Sequence, residues 1–449
     1  MRVGQTIVYF FSIDVLKNGK ISGDLSFPNC DPTLLKFCNQ MKPFTLEGKD
    51  DNDTNIVVEN GVMTTVVEEA ASTGYSISSK FDARKVLLCP ESQVTKPNGD
   101  ILIHFGLLNV YQTFGVRVET NLGTLEIMSY NYATNGNKGH NHPIELEKLV
   151  NSYGLSFVTS LLKISVKANG SKTLEQIVNT AKLIVQNFLK ITSLSQVTWH
   201  DWVFLVVYDK VENNPNTAQP IFSEFDSPKV KVPALLRVAP LAYSNDFINA
   251  AWKGYSDKLE KMYAFDSALE WLVESNVTTL FETRFINATT CLEMLMDRFH
   301  SQNNTEFLLD EKTFKEFFCA IRKTASEFLK SRGVGQEIRN ALYNSLRGSR
   351  RRSYKDKAII LLDHWGITYS DTGITIDDIK DIRNAITHTG RYHASNQEEF
   401  SNAIRVYHGI MTILIRIFLA MLDYHEYYHD PWQDRWIRFR DLCSKIASP

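Results

Sequence analysis

The chain has 449 residues, with 49 Lys and Arg against 51 Asp and Glu, a formal net charge of -2, and 43% hydrophobic and 22% charged residues. This profile excludes a disordered, collagen-like or disulfide-built molecule and leaves ample chain for a self-sufficient core. The whole-chain charge gives no sign of a nucleic-acid partner, and at roughly 150 residues per domain the length admits two large domains or three smaller ones.

The six cysteines (Cys30, Cys38, Cys89, Cys291, Cys319 and Cys443) are scattered and form no C-x-x-C pair. They read as reduced, mostly buried thiols of a cytoplasmic protein, with neither a zinc ribbon nor a thioredoxin-type motif. Arg2 precedes an apolar run from Ile7 to Ile13, but Asp14 interrupts it and no cleavage site follows, which argues against a signal peptide.

In chain order, the first half reads as strands. Asn18-Gly19 and Asn60-Gly61 sit between β-rich runs, the strongest short hairpin signal because both residues tolerate positive φ. Further strands are expected over Ile101 to Val110, Gly115 to Thr120, Thr124 to Ser129 and Trp202 to Tyr208. One long helix interrupts them: Leu174, Ile177, Val178, Ala181, Val185, Phe188 and Leu189 repeat at three- and four-residue steps, and Thr173 with Gln176 makes a capping box. His140-Asn-His142 lies in a Gly- and Asn-rich stretch and reads as a solvated loop.

Residues 212 to 240 hold five prolines and mark the exit from the β-rich part. From about Ser244 the period turns helical. Phe281, Phe285, Ala288, Leu292, Leu295 and Phe299 form one stripe, and Phe314, Phe317, Phe318, Ile321, Ala325 and Phe328 another. Later helices are expected over about Gln336 to Leu346, Tyr354 to Trp365, Ile376 to His388, Gln397 to Tyr428 and Trp432 to Ile446. Ile410 to Leu422 is the most apolar run; it contains Arg416, is too short to cross about 30 Å of hydrocarbon, and reads as a core helix or one half buried in a subunit interface. The expected fold class is α+β: a β-rich domain at 1–240, an antiparallel sheet with a long helix, followed by an all-α bundle at 241–449.

The chemistry concentrates in the segment from Thr375 to Gly390. Thr375 with Asp378 resembles a capping box, acidic residues fill the first turn where the helix dipole favours them, and Gly390 is a natural stop. Ile379, Ile382 and Ile386 form an apolar stripe, while Asp377, Asp381, Asn384 and His388 form a polar one opposite. Arg383-Asn384-x-x-x-His388 matches the R-x4–6-H signature of HEPN ribonuclease domains, including the Asn after the Arg. Gly23-Asp24-Leu25-Ser26-Phe27 and the long helix near residue 180 resemble the N-terminal domain of ApeA-type proteins. Phe281-Glu-Thr-Arg-Phe285 and Glu293-Met-Leu295 resemble the first helix of the Apea-like HEPN domain.

That resemblance implies a metal-independent endoribonuclease acting as a homodimer or higher even oligomer, without a cofactor. The ribose 2′-OH attacks the adjacent phosphate and leaves a 2′,3′-cyclic phosphate and a 5′-OH. It implies tRNA or other structured RNA as substrate, an anti-phage or toxin role, and an N-terminal domain that senses a phage-derived trigger. The residue types suit the chemistry: an imidazole at His388 moves protons near neutrality, and a guanidinium at Arg383 holds the scissile phosphate. Asn384 donates to the phosphate or orients His388, and Asp381 is assigned to the imidazole tautomer.

Five residues place Arg383 and His388 about 140° apart on an ideal helix. Either the helix ends before His388, or the site pairs residues across a two-fold axis. Residues 321–360 hold eleven Lys and Arg against three acidic residues, a local +8. Within it Arg347, Arg350, Arg351, Arg352, Lys355 and Lys357 are assigned to RNA binding, with the arginine triplet in a Gly/Ser-flanked loop. The competing readings are a non-catalytic HEPN module that binds nucleotides or partners, and a zinc peptidase through His425, Glu426 and His429, which match H-E-x-x-H. Trp432 stands where a G-x-x-H extension would need glycine, and Asp430-Pro431 ends any helix there. No metal site is expected.

Overall fold

A long strand shared by two parts of one sheet organises the N-terminal half. The computed structural model describes residues 10–15, 21–30, 43–49, 54–71, 74–90, 97–108, 110, 116–129, 160–209, 220–226, 238, 244–255 and 257–442. Within them lie β1 (Phe10–Val15), β2 (Ile21–Cys30), β3 (Phe44–Lys49), β4 (Thr54–Ala71), β5 (Gly74–Ala83), β6 (Lys85–Pro90) and β7 (Asn98–Leu108). They are followed by β8 (Arg117–Glu119), β9 (Gly123–Ser129), β10 (Ser160–Asn169), the helix α1 (Leu174–Gln196), β11 (Asp201–Asp209) and β12 (Pro220–Asp226). The spatial order is β1-β2-β5-β4-β6-β12-β11-β7-β10-β9-β8, with β3 added onto β4. Every pairing among the described residues is antiparallel.

The first part of β4 pairs with β6 over Thr54 to Glu59, and its second part pairs with β5 over Val62 to Ala71. The handover falls at Asn60, whose φ of 55° bends the strand. This corrects the hairpin expected at Asn60-Gly61: the pair makes a bend inside one strand, because Asn supplies the left-handed residue without reversing the chain. Gly61 is required there, since a Cβ would stand 2.5 Å from the Phe44 ring. Asn18-Gly19 lies outside the described residues, between β1 and β2, which pair as a hairpin would from Val15↔Ile21. His140, His142 and most of 212–240 also lie outside them.

Ile21, Leu25, Phe44, Val58, Phe81, Phe204 and Phe225 pack into one core cluster of this sheet. α1 carries the expected capping box, Gln176 N–H donating to Thr173 Oγ1 at 3.2 Å and Thr173 N–H to Gln176 Oε1 at 3.0 Å. Its Lys182 pairs with the buried Glu224 of β12, which Lys85 also approaches at 3.6 Å.

The chain divides into two compact units, Met1–Ser193 with Trp199–Pro233, and Leu194–Thr198 with Ala234–Pro449. The second is helical: α2 (Ser244–Gly254), α3 (Asp257–Tyr263), α4 (Phe265–Val277), α5 (Phe281–Asn303), α6 (Glu311–Ser331), α7 (Gln336–Gly348), α8 (Tyr354–Trp365), α9 (Ile376–Thr389) and α10 (Gln397–Met421). A short hairpin closes it, β13 (Tyr427–Asp430) with β14 (Arg435–Arg438), then a single 3-10 turn at Phe439–Leu442. Cys291 is buried in α5, whereas Cys319 of α6 is exposed.

The end of this unit departs from the sequence reading in two places. The helix expected to Tyr428 stops at Met421, and the helix expected from Trp432 is β14 and the 3-10 turn. Asp423 adopts φ 55° and Tyr424 N–H donates to Leu419 O at 3.0 Å, the two features of a left-handed helix stop. α10 is long and apolar enough to cross a membrane by length and composition, but 78% of that window is buried inside the unit. It is the core helix.

Arg416 explains why the chain turns back. Its side chain is fully buried and donates to Asp371 through two nitrogens (2.8 and 2.7 Å), to Asp430 Oδ2 at 2.7 Å, to Tyr428 Oη at 2.7 Å and to Thr368 O. Tyr428 Oη also donates to Asp430 at 2.7 Å. Asp430 further accepts from Trp432 and Gln433 N–H at 2.9 and 3.0 Å. Burial pushes the Asp430 carboxyl up, but the Tyr428 hydroxyl and the Arg416 charge outweigh it, and the net shift is downward.

Arg416→Met leaves these carboxylates without their cation and is expected to cost about 3–5 kcal/mol, read as a lower urea midpoint. Because Asp430 titrates lower when folded, its contribution is complete above the ordinary aspartate value near 4 and disappears as the pH falls through the folded pKa. An acid-unfolding curve of Asp430→Asn should therefore be flatter than that of the parent below about pH 4.

Candidate functional site

α9 is positioned at both ends by its own sequence. Asp378 N–H donates to Thr375 Oγ1 at 3.1 Å and Thr375 N–H to Asp378 Oδ2 at 2.7 Å, completing the expected capping box. Gly390, at φ 74°, donates to Ile386 O at 2.7 Å and ends the helix. Ile376, Ile379, Ile382 and Ile386 are buried, which turns Asp381 and His388 to solvent.

The polar side is anchored to its neighbours through two cations. Arg383 Nη2 lies 3.0 Å from Glu293 Oε1 of α5, and its Nη1 donates to Asn384 Oδ1 at 3.2 Å. Lys355 of α8 pairs with Asp377 at 2.5 Å. The guanidinium and Glu293 are each about a third exposed (37% and 30%), so the pair is held in place while one edge remains open. Tyr354, in the first turn of α8, stands beside them: its hydroxyl is buried without a hydrogen-bond partner. Burial pushes this phenol up, the Glu293 charge adds to the shift and Arg383 opposes it.

The sequence-assigned residues are only partly brought together. Arg383 and Asn384 touch, and Asn384 lies one turn below His388 on the same face. His388 makes no hydrogen bond among the described residues. The helix runs through Thr389, so it does not end before His388, and the roughly 140° between Arg383 and His388 stands within one chain. Asp381 does not reach His388 in the same chain: seven residues of continuous helix separate their Cα atoms by about 10.5 Å. Within one chain, then, Asp381 does not hold the His388 imidazole.

The basic residues are largely occupied within the chain. Arg350 lies 4.1 Å from the Phe307 ring and donates to Leu309 O at 3.2 Å, and Arg347 lies over Phe318 at 5.3 Å. Arg351 is 3.5 Å from Glu306, Arg352 donates to Thr305 O at 2.9 Å, and Lys357 pairs with Asp297 at 2.8 Å. The arginine triplet is therefore no loose loop: Arg351 bridges to Phe307 as a strand pair would, and Arg352 N–H donates to Glu306 O at 3.1 Å. Phe307, Phe314 and Phe318 line, with Arg347, Arg350 and Lys315, a surface hollow of about 390 Å³. Guanidinium planes stacked on rings present a flat cationic face of the kind on which an unpaired base stacks.

The H-E-x-x-H segment does not form a metal site. His425 precedes β13 and His429 lies within it, so no helix turn brings the imidazoles together. Each faces a different carboxylate, His425 with Asp423 at 3.0 Å and His429 with Asp434 at 3.3 Å. Among the described residues no cluster of three metal-ligating side chains occurs.

Sequence reasoning missed the Glu293 partner, Tyr354 and the carboxylates around Arg416. An arginine inside an apolar run was the one signal available for the last.

Tyr354→Phe removes a buried hydroxyl that has no partner, so the urea midpoint should stay within about 0.5 kcal/mol of the parent or rise. A loss above about 1 kcal/mol would mean that the hydroxyl is satisfied in solution. Comparison with protein-family models, with curated proteins and with solved structures gave no match.

Proposed function

We propose that the chain is a metal-independent endoribonuclease of the HEPN type. In this reading it acts as a homodimer in the cytoplasm on tRNA or another structured RNA, and serves as an anti-phage or toxin effector whose N-terminal unit answers a phage-derived trigger. The observation that carries the reading is the arrangement on α9: a half-buried guanidinium fixed by Glu293, an amide beside it, and an exposed imidazole one turn above that amide. The exposed imidazole of His388 takes no part in the packing of the bundle.

The chemistry follows from the groups. Arg383 keeps its charge, and its open edge suits one phosphate oxygen; Asn384 supplies amide hydrogens to the same group. His388 takes the proton of the 2′-OH or gives one to the departing 5′ oxygen, and the 2′ oxygen displaces it to leave a cyclic phosphate. Because Arg383 and His388 diverge within one chain, the reading places Arg383 of one protomer and His388 of the other on the same phosphate. The hollow beside Arg347 and Arg350 then takes RNA flanking the cut.

A second reading is favoured by a specific observation: Arg383 and Arg351, Lys355 and Lys357 already have carboxylate partners within the chain. On that reading the helical unit is a non-catalytic module that binds nucleotides or partners, and these cations hold it together.

Total RNA incubated with the protein in EDTA separates the two. The nuclease reading expects fragments with 2′,3′-cyclic ends and a loss of about 10²–10⁴-fold in His388→Ala, with folding intact. Arg383→Ala should lose about 10²–10³-fold. The module reading expects no cleavage by the parent and a loss of stability alone in Arg383→Ala. Replacing Arg350, Arg351 and Arg352 with Ser should weaken RNA binding at low salt and flatten its salt dependence, measured by filter retention. Unchanged binding in a variant that melts like the parent removes those residues from the interface.

A further inference from the structure

We propose that the hollow between the start of α6 and the arginine triplet selects guanine: it takes one unpaired guanine of a single RNA strand. The inference deepens the RNA reading of this hollow and rests on it for the source of the base, but not on cleavage.

One wall comes from two stretches tied together through their backbones. Leu308 N–H donates to Arg350 O at 2.9 Å and Arg352 N–H to Glu306 O at 3.1 Å, which sets Phe307 and Arg350 side by side. The other wall is one face of α6, where Glu311, Phe314, Lys315 and Phe318 follow at i, i+3, i+4 and i+7. Asp310 fixes where that face begins: as the cap it accepts from Thr313 N–H at 3.0 Å and leaves Glu311 as the first helical residue. The Phe314 and Phe318 rings are nearly parallel, at 25° with centroids 6.0 Å apart. Arg350 lies 4.1 Å from the Phe307 ring and 5.9 Å from that of Phe314. A volume of about 390 Å³ is at the lower end for a small-ligand site, room for one nucleotide and not for a run of them.

Rings and guanidinium planes stack any base, so the choice among bases falls to the polar groups around them. Among the described residues, the side chains of Glu311, Lys315 and Arg347 make no hydrogen bond or ion pair. An ionised carboxylate only accepts. It needs two adjacent donors, and guanine alone among the four bases has them on its pairing edge, at N1–H and the N2 amino group. Adenine and cytosine place an acceptor beside their donor there, and uracil places its N3–H between two acceptors; the carboxylate repels all of these. The far edge of guanine, O6 and N7, is the one an arginine reads with two donors. Arg347, on α7, is exposed and stacked over Phe318, across the hollow from Glu311. Lys315 then meets the adjoining phosphate. The same carboxylate disfavours a bare phosphate or an anionic headgroup as the occupant, because it repels both.

Fluorescence anisotropy of the full chain with RNA pentamers, 2′-O-methylated throughout so that they stay uncut, tests the assignment. UUGUU should bind about 10–100-fold more tightly than UUAUU, UUCUU or UUUUU. Inosine at the centre, which lacks the N2 amino group, should lose most of that advantage. GMP should displace UUGUU, and AMP should not. Glu311→Gln should bring UUGUU down to the level of the other pentamers with the helical circular dichroism unchanged. Gly348 lines the hollow and a Cβ there meets nothing within 4 Å, so Gly348→Leu should fold and weaken every pentamer about tenfold or more. A parent without a guanine preference, a preference that survives Glu311→Gln, or full binding by Gly348→Leu each overturns the proposal. Failure of the nuclease reading looks different: a chain that prefers UUGUU yet leaves total RNA intact keeps the guanine site and loses the cleavage.

Discussion

The helical unit depends on one buried cation. Arg416 sits in the middle of α10, the most apolar helix of the chain, where an unpaired guanidinium would be ruinous. Its partners come from two separate stretches, the turn holding Asp371 and the strand holding Tyr428 and Asp430. Satisfying it fixes where both must lie. The turn at Ser370–Thr372 leads directly into the capping box of α9, so the same guanidinium that closes the C-terminal hairpin also sets the start of the helix bearing Arg383 and His388. Desolvation makes such an arrangement all-or-none: with every partner in place it specifies one geometry, and with one missing it destabilises all of them.

Electrostatics within the unit follow the same economy of partners. A forty-residue segment at +8 would repel itself if left bare, and the fold disperses it. Lysines reach across to carboxylates on other helices, while arginines lie over Phe307, Phe318 and Tyr343. Rings neutralise no charge. The stacked arginines are therefore the part of the segment whose field remains available to a phosphate, and the paired lysines contribute less.

Local patterns were legible where local physics decides. The caps at Thr173 and Thr375, the stop at Gly390 and the isoleucine stripe of α9 all follow from residues within one or two turns. The failures are where distant groups decide. Asn60-Gly61 carries a hairpin signal, but β5 and β6 bind β4 on either side of it and hold the chain extended. The residues after Met421 have helical periodicity, yet Arg416 draws Tyr428 and Asp430 back into a strand pair. At the candidate site, spacing placed Arg383 beside Asn384, but the ninety residues to Glu293 hid the ion pair that holds it.

The place of β12 in the sheet has a consequence for the order in which the chain is built. β12 lies between β6 and β11, so the strands from Phe10 to Pro90 and those from Asn98 to Asp209 are joined in register only when Pro220–Asp226 arrives. During synthesis, both parts wait with an open edge, the condition in which a nascent strand pairs with a neighbouring chain. Pairing across a sequence gap as long as that between β6 and β12 is slow. The passage of residue 226 out of the ribosome marks the end of the interval in which those two edges stand open.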